Sequence, residues 1–226
     1  MPEPLGPSYL DDLRKYRHVL KSRNTLLRDI PQRETTATLD ALDLLLAQYG
    51  LELNAKRRET TEEFSLVFEP LYREISGIAG IGVKYLPSWK DDDLGGIISR
   101  LCERREADIS LGASLSGPHR DRYLFTCGGE DFSGKASTGQ RRLLALLLRI
   151  AQARVFSEKT GKKPVLLLDD ALLELDGEKR RKFLSVMPEY EQAFFTFLPG
   201  EYDRYRKSDT IVYSIDSGQV QFEKSW

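Results

Sequence analysis

The first third of the chain carries apolar positions at helical spacing. Residues 8–30, and a second segment that opens near Thr36, repeat apolar residues three and four positions apart, as at a seam between two helices. We expect these helices to pack antiparallel across a short link at 30–35. Gly50 should weaken the second helix, and Pro70 should help to end it. The seam positions are Leu10, Leu13, Arg17, Leu20, Asn24 and Leu27 on the first helix and Leu39, Leu42, Leu46, Tyr49 and Leu53 on the second.

Beyond residue 78 the pattern alternates between short apolar runs and helical segments. The run VLLL at 165–168 is continuously apolar, which predicts a strand in a sheet covered on both faces. Strands that alternate with helices predict parallel pairing with right-handed crossovers. The sequence thus divides into a helical arm, residues 1–78, and an α/β portion, residues 79–226. Predicted strands cover 81–86, 122–127 with a short return strand, 165–168 and 193–197; predicted helices cover 91–106, 139–158 and 177–187; a loop at 198–208 precedes a hairpin that turns at Asp216-Ser217-Gly218.

Composition excludes several classes of protein. The 226 residues hold 34 Lys and Arg against 35 Asp and Glu, which excludes a uniformly basic coat for nucleic acid. No apolar run approaches the ~20 residues of a membrane span, and the N-terminus lacks the pattern of a signal peptide. Two cysteines, Cys102 and Cys127, and two histidines, His18 and His119, exclude a disulfide framework and a His-rich metal centre. We therefore expect a cytoplasmic protein with reduced thiols.

Basic residues nevertheless concentrate in two places. Residues 8–33 hold seven Lys or Arg against three acids, and a compact second cluster lies at 179–182. Such patches suit sequence-independent contacts to DNA phosphates, although a solvated helix face is the alternative explanation for each. The candidate DNA contacts are Arg14, Lys15, Arg17 and Lys21 in the first patch and Lys179, Arg180, Arg181 and Lys182 in the second.

Two acids follow the apolar run at 165–168. Asp169 and Asp170 should lie at the carboxyl end of the strand, where ligands of open α/β sheets bind. In phosphoryl-transfer sites the first acid of such a pair supports Mg²⁺, and the second orients or deprotonates an attacking water. The alternative is that both acids cap the helix that follows.

A helix start with anion-binding character precedes this strand. Ser137 is a good N-cap, and Gly139 would let a phosphate approach the backbone amides of the first turn. By itself the stretch Ser137–Gln140 is most simply an N-cap. Its order in the chain adds weight, because a long apolar helix, the acid pair and a further acid, Asp176, follow in turn.

This order resembles the ATP-binding-cassette ATPases and, within them, the RecF family of DNA replication and repair proteins, which are relatives of the SMC-type ATPases. The stretches 9–27, 116–125 and 169–184 carry the resemblance. It implies an α/β fold, the C-terminal part of an ABC-type ATPase head with a coiled-coil-like helical hairpin at its N-terminus. Departures from the family pattern are Leu173, where a small residue is usual, and Thr196, near which many cassette ATPases carry a His.

The resemblance also implies roles for individual residues. Ser137, Gly139 and Gln140 match the signature motif, which contacts the γ-phosphate of ATP held by a partner subunit. Asp169 matches the Mg²⁺-supporting acid, and Asp170 stands where many relatives carry a catalytic Glu. Leu175 and Asp176 match the D-loop, which crosses the dimer interface. His119 and Arg120 receive no role; a structural His beside a strand is the simpler interpretation of His119.

The implied function is that of a DNA-binding ATPase of recombinational repair and replication-gap processing, active in the bacterial cytoplasm at the nucleoid. Its implied partners are gapped DNA or single-strand/double-strand junctions, RecO- and RecR-like proteins, and a second copy bound through ATP and Mg²⁺. No G-x-x-x-x-G-K-[ST] loop occurs in these residues. We therefore expect the C-terminal portion of a longer protein, unable to hydrolyse ATP alone. The alternative is a non-catalytic DNA- or protein-interaction module derived from such an ATPase.

Overall fold

A computed structural model describes residues 7–29, 36–172, 175–198 and 209–225. Its elements in chain order are α1 (Pro7–Asp29), α2 (Thr36–Ser76), β1 (Ile81–Leu86), α3 (Leu94–Glu103), α4 (Arg105–Leu111), a 3-10 turn (Pro118–Arg120), β2 (Arg122–Cys127), β3 (Glu130–Asp131), α5 (Thr138–Thr160), β4 (Val165–Leu168), α6 (Gly177–Ser185), β5 (Gln192–Phe195), β6 (Ile211–Asp216) and β7 (Gln219–Ser225). The predicted link at 30–35 and most of the predicted loop at 198–208 lie outside the described residues.

Helices α1 and α2 pack antiparallel, as predicted. Lys56 of α2 donates to Asp12 near the start of α1, whereas Arg23 near the end of α1 donates to Asp43 near the start of α2. The predicted seam on α1 is wrong in its centre, because Arg17 is exposed. The buried stripe instead follows Asp12, Tyr16, Val19, Arg23 and Leu27. Polar side chains enter this stripe because each finds a charged or hydrogen-bonding partner there.

Helix α2 continues through Pro70 to Ser76, so the prediction that Pro70 helps to end it is wrong. A proline inside a helix costs ~3 kcal/mol. Phe68 and Tyr72 on either side are completely buried, and each such side chain returns about 1.5–3 kcal/mol. The end comes at Gly77, whose φ of 75° is a left-handed conformation that favours glycine.

Strands β1, β2 and β3 form an antiparallel sheet against α2, with Ile81 opposite Cys127 and Leu86 opposite Arg122. The single helix predicted at 91–106 is wrong. Asp93 caps α3 by accepting from the Gly96 N–H at 2.8 Å, and the chain then breaks at Arg104 into a second helix, α4. The sequence gives no Gly or Pro at Arg104 that would signal this break, and the backbone of Arg104 stays close to helical.

Strands β4 and β5 pair in parallel, from Val165 opposite Gln192 to Leu168 opposite Phe195. This pairing confirms the prediction from the strand–helix alternation. Leu168 and Phe195 pack on one side against a buried apolar cluster, but Val165 and Leu167 on β4 are 54% and 77% exposed. The expectation of a sheet covered on both faces is therefore not met by the described residues. Strands β6 and β7 form a separate antiparallel hairpin, as predicted.

Two clusters of buried side chains hold the structure together. The larger joins the last third of α2 to α5, α6 and the β1–β2 sheet, and it includes Phe68, Leu147 and Phe183. The smaller joins α1, the first half of α2 and α3 around Trp89. Since α2 serves both clusters, the division of the chain at residue 78 stays a prediction. No helix among the described residues is both long enough and apolar enough to cross a membrane.

Candidate functional site

The acid pair lies at the carboxyl ends of the two parallel strands. Asp169 and Asp170 follow β4, and Thr196 follows β5 directly beside them. Asp169 Oδ1 lies 2.8 Å from Thr196 Oγ1, and the Asp170 N–H donates to the same oxygen at 2.8 Å. Both acids are exposed to solvent. The geometry presents two carboxylates on an accessible strand end, where a ligand can reach them.

Asp170 has a backbone conformation that L residues rarely adopt. Its φ is 48°, in the left-handed region, which destabilises a non-glycine residue by of order 1–3 kcal/mol. Aspartate tolerates this region better than most residues because its short side chain bonds locally. This left-handed residue comes immediately after Asp169, and the two carboxylates occupy successive positions beyond the end of β4.

The helix start that resembles a signature motif is an exposed, capped terminus. Ser137 Oγ accepts from the Gln140 N–H at 3.3 Å, and Gln140 Oε1 accepts from the Ser137 N–H at 2.7 Å, a reciprocal capping box. A Cβ added at Gly139 would meet nothing within 4 Å, so the surface there is open. The predicted N-cap role of Ser137 is confirmed. Among the described residues the Ser137 hydroxyl donates no hydrogen bond, so its proton is available to a phosphate oxygen.

Asp176 is the N-cap of α6. It accepts from the Lys179 N–H at 2.9 Å and from the Lys179 ammonium at 2.6 Å, and the ammonium holds the pKa of the carboxyl below its usual value. Leu175 is buried, which anchors the exposed Asp176. Leu173, the position that departs from the D-loop pattern, lies outside the described residues.

The acid pair suits magnesium only together with other ligands. The described residues hold no group of three or more His, Cys, Asp or Glu side chains arranged around a common metal position. Mg²⁺ in phosphoryl-transfer sites takes one or two carboxylates and completes its shell with water and phosphate oxygens. Asp169 and Asp170 therefore fit the protein's share of such a site.

His119 is held by hydrogen bonds at both ring nitrogens. Nδ1 lies 2.7 Å from the Tyr16 hydroxyl, and Nε2 lies 3.0 Å from the carbonyl oxygen of Ser114. A carbonyl can only accept, so Nε2 carries the proton and Nδ1 accepts from Tyr16. Burial against α1 lowers the pKa of His119, which favours this neutral form. His119 is thus a structural residue that joins the loop before β2 to the arm.

Asp121 ties the same loop to three other segments. It accepts from Arg57 of α2 at 2.6 Å, from the Tyr85 hydroxyl of β1 at 2.5 Å, and from the Ser88 N–H at 2.8 Å. Arg57 also donates to the carbonyl of Pro118 at 2.6 Å. The stretch 116–121, which carried part of the resemblance, is therefore a joint between arm and sheet.

The two basic patches differ in how far they are neutralised. In the second, Lys179 pairs with Asp176 and Lys182 pairs with Glu178, while Arg180 bonds the backbone of Leu175. Arg181 is exposed. Paired cations of this kind have less charge to offer a phosphate.

In the first patch, Arg14 pairs with Asp11 in an exposed contact, and Lys15 lies over the Tyr49 ring, 5.7 Å from its centroid. Within the part of the chain that the structure describes, Arg17 and Lys21 form no ion pair. They line a shallow cleft of about 290 Å³ together with Leu20, Asn24, Thr25 and Arg28. The face of α1 is thus the more available of the two cationic surfaces.

The structure brings some predicted site residues together and keeps others apart. The acid pair meets Thr196, which sequence reasoning noted only as standing where a His is common; its place directly after an apolar strand was the available signal. The hydrogen bonds of Ser137 and Gln140 stay within their own helix start, and no hydrogen bond among the described residues joins them to the acids.

The chain is similar in sequence to proteins of known description. No protein-family model matches the chain. It is 43% identical over 214 residues to the DNA replication and repair protein RecF of Treponema pallidum, across 94% of this chain and 60% of that protein. It is 33% identical over 219 residues to the protein of the same description from Agathobacter rectalis, again across 60% of the relative.

Solved structures agree with these sequence matches. A structure described as the recombination mediator protein RecF with ATP in the RecFOR pathway superposes with a TM-score of 0.82 at 27% identity, over 96% of this chain and 59% of the other. This superposition confirms the predicted fold class, a portion of an ABC-type ATPase head with a helical hairpin. The chain is homologous to the RecF proteins and spans about 60% of the length of these relatives.

Proposed function

We propose that this chain supplies the acid pair and the trans-acting surface of a RecF-type, ATP-dependent DNA-repair protein. One observation carries the proposal: the parallel pairing of β4 and β5 places Asp169 and Asp170 together on an exposed strand end. The superposed relative, described as RecF with ATP, supports ATP as the nucleotide.

Each residue has a chemical task in this proposal. Asp169 would hold Mg²⁺ by accepting a hydrogen bond from a water bound to the ion, since carboxylates are among the groups that hold Mg²⁺ in such sites. Asp170 orients a water for in-line attack and takes up its proton. An ion held there by Asp169 would supply neutralisation of charge on the phosphate oxygens of ATP.

The helix start of α5 acts on the nucleotide of a second molecule. Ser137 donates a hydrogen bond from its hydroxyl to a phosphate oxygen. The open surface at Gly139 lets a phosphate approach the first-turn N–H groups. Gln140 keeps this turn capped through its bond to Ser137. Donors aimed at developing negative charge stabilise a transition state electrostatically. Leu175 and Asp176 then lie at the interface of an ATP-dependent dimer.

DNA and protein partners complete the proposal. The cationic face of α1, with Arg17 and Lys21, tracks the phosphates of gapped or junction DNA. The description of the superposed relative, which names the RecFOR pathway, supports RecO- and RecR-like partners. Binding to DNA would place the protein at the bacterial nucleoid.

The test replaces the matching residues of Treponema pallidum RecF by this chain, which restores the full length of the relative. We expect the chimera to hydrolyse Mg·ATP and to lose at least about a hundredfold in kcat with Asp170→Asn while nucleotide binding persists, since loss of a general base costs about 10²–10⁴-fold. Asp92→Asn, which removes an exposed acid paired with Arg58, is the matched control. Unchanged kcat in Asp170→Asn would contradict the assignment.

A non-catalytic interaction module is the second candidate. The arm supports it, because α1, α2 and α3 share a buried cluster of their own and present cationic residues outward. This candidate predicts DNA binding by the chimera with no ATP turnover. Asp170→Asn would then change neither property.

A further inference from the structure

Thr196 is placed by the sheet itself. It is the first residue after β5, and its N–H donates to the carbonyl of Leu168, the last residue of β4, at 3.1 Å. This bond extends the parallel ladder by one residue beyond the end of β5. The side chain of Thr196 is therefore held at the strand end with the precision of the sheet rather than of a loop.

One hydroxyl group serves both acids. The Asp170 N–H donates to Thr196 Oγ1, which leaves the hydroxyl proton for another acceptor. Asp169 Oδ1 lies 2.8 Å from Oγ1, whereas Asp170 Oδ1 lies at 3.3 Å, so the proton is donated to Asp169. A bond to a carboxylate is charge-assisted and stronger than a neutral one. Thr196 thus holds Asp169 by its carboxylate and Asp170 by its backbone.

Asp170 depends on such an anchor. Its left-handed φ of 48° persists only where surrounding contacts determine it. The Asp170 N–H bonds to no backbone carbonyl in the described residues, so Thr196 Oγ1 is the acceptor that defines this turn. Without it, the backbone can rotate and carry the Asp170 carboxylate away from Asp169.

We propose that Thr196 is the positioning residue of the acid pair, and that its hydroxyl sets the direction of the Asp169 carboxylate and the backbone turn at Asp170. The consequence for catalysis rests on the proposed function. The positioning itself rests only on the hydrogen bonds.

Amide exchange measures the positioning directly in this chain. Thr196→Val keeps the shape but removes the hydroxyl, and NMR should show about tenfold faster exchange of the Asp170 amide, because a protecting acceptor is lost. Thr196→Ser should keep wild-type exchange. Thr160→Val is the matched control, because Thr160 also donates to a carbonyl and accepts a backbone N–H, at the end of α5. Thr196→Ala replaces Thr196→Val if the latter does not fold.

Turnover in the Treponema chimera measures the consequence. We expect Thr196→Val to lower kcat by about tenfold or more at unchanged KM, with rescue by Thr196→Ser, because misplacing a catalytic group costs chemistry rather than binding. Equal kcat of Thr196→Val and wild type beside an inactive Asp170→Asn would overturn the proposal. If Asp170→Asn is fully active, the proposed function has failed, and the amide measurement decides: faster exchange supports the positioning role, and unchanged exchange overturns it.

Discussion

Arg23 is completely buried in the arm, although the sequence presents it as one cation among several on α1. Its guanidinium donates to Asp43 at 2.5 Å, to Asp108 at 2.6 Å and to the Ser114 hydroxyl at 2.7 Å. Asp43 also accepts from Arg105 at 2.7 Å. The network is favourable only as a complete set, because each buried charge depends on its partners for the solvation it has lost.

Arg23→Met should destabilise the chain by about 3–5 kcal/mol, since it leaves buried carboxylates without their partner. Urea unfolding followed by circular dichroism measures this loss. Arg14→Met is the matched control on the same helix: Arg14 and Asp11 are exposed, and surface pairs contribute about 0–1 kcal/mol. Equal destabilisation by the two variants would contradict the role given to Arg23.

His119 predicts a pH dependence of stability. Its pKa in the folded chain is lowered from 6.5, first by burial and then by the nearby Arg120, against opposing effects of the Ser114 carbonyl and of Asp121 and Asp108. The unfolded chain therefore binds a proton more readily, so this contribution is present above pH 6.5 and is lost as the pH falls below it. Protonation would also place a proton on Nδ1 facing the Tyr16 hydroxyl.

The urea midpoint should therefore fall between pH 7 and pH 5.5, and His119→Gln should reduce this fall. The effect is small, because His119 is exposed to solvent over much of its surface. His18→Gln, which changes an exposed histidine on α1, is the matched control. If the urea midpoint of His119→Gln depends on pH as that of the wild type does, another group is responsible.

At the scale of elements, α2 gains its length from packing rather than from helix propensity. It spans 41 residues although it contains Gly50 and Pro70. Gly50 is buried against Trp89: an added Cβ would lie 2.3 Å from a ring carbon of that side chain. The glycine that weakens the helix locally is thus the residue that lets α2 contact the segment before α3.

Gly50→Ala should destabilise the chain by roughly 1–3 kcal/mol, because overpacking at Trp89 outweighs a gain of about 1 kcal/mol in helix propensity. Thermal or urea unfolding tests this sign. Gly177→Ala is the control, since an added Cβ there meets nothing within 4 Å and Gly177 opens α6. A stabilised Gly50→Ala variant would mean that Trp89 moves aside without cost.

At the scale of the whole molecule, α2 runs from the arm into the α/β portion, whose β4–β5 sheet has an exposed apolar face. The network around Arg23 fixes the arm to α4, and the joint around Asp121 fixes the arm to the sheet. On the other side, Leu167 and Phe194 expose 77% and 51% of their surface. The overall charge of −1 conceals a cationic face on α1, which is the surface most suited to nucleic acid.

Arg17→Gln with Lys21→Gln should weaken binding of gapped DNA and reduce the slope of log K against log salt by about 1.8, at about 0.9 for each lost phosphate contact. Fluorescence anisotropy over a salt series measures both. Lys179→Gln with Lys182→Gln is the matched pair, and it should change the slope less because these lysines bind Asp176 and Glu178. A larger effect of the second pair would move the DNA surface to α6.

The sequence by itself determined the features that rest on local order. Apolar periodicity located most helices and strands, alternation predicted the parallel pairing of β4 and β5, and the acid pair was placed at a strand end. The order of Ser137, Asp169 and Asp176 carried the resemblance to the ATP-binding-cassette ATPases, and the stretches 9–27, 116–125 and 169–184 carried the resemblance to the RecF family. These inferences succeed because strand direction, capping and motif order are written in neighbouring residues.

Tertiary structure decided what depends on distant partners. Arg23 rather than Arg17 lies in the buried stripe of α1, because Asp43 and Asp108 neutralise its charge there. Pro70 lies within α2 because burial of the neighbouring side chains offsets its destabilising effect. Thr196 lies beside the acids because β5 pairs with β4. The free energy that a side chain gains from pairing depends on partners that are distant in sequence, and a local sequence pattern does not reveal those partners.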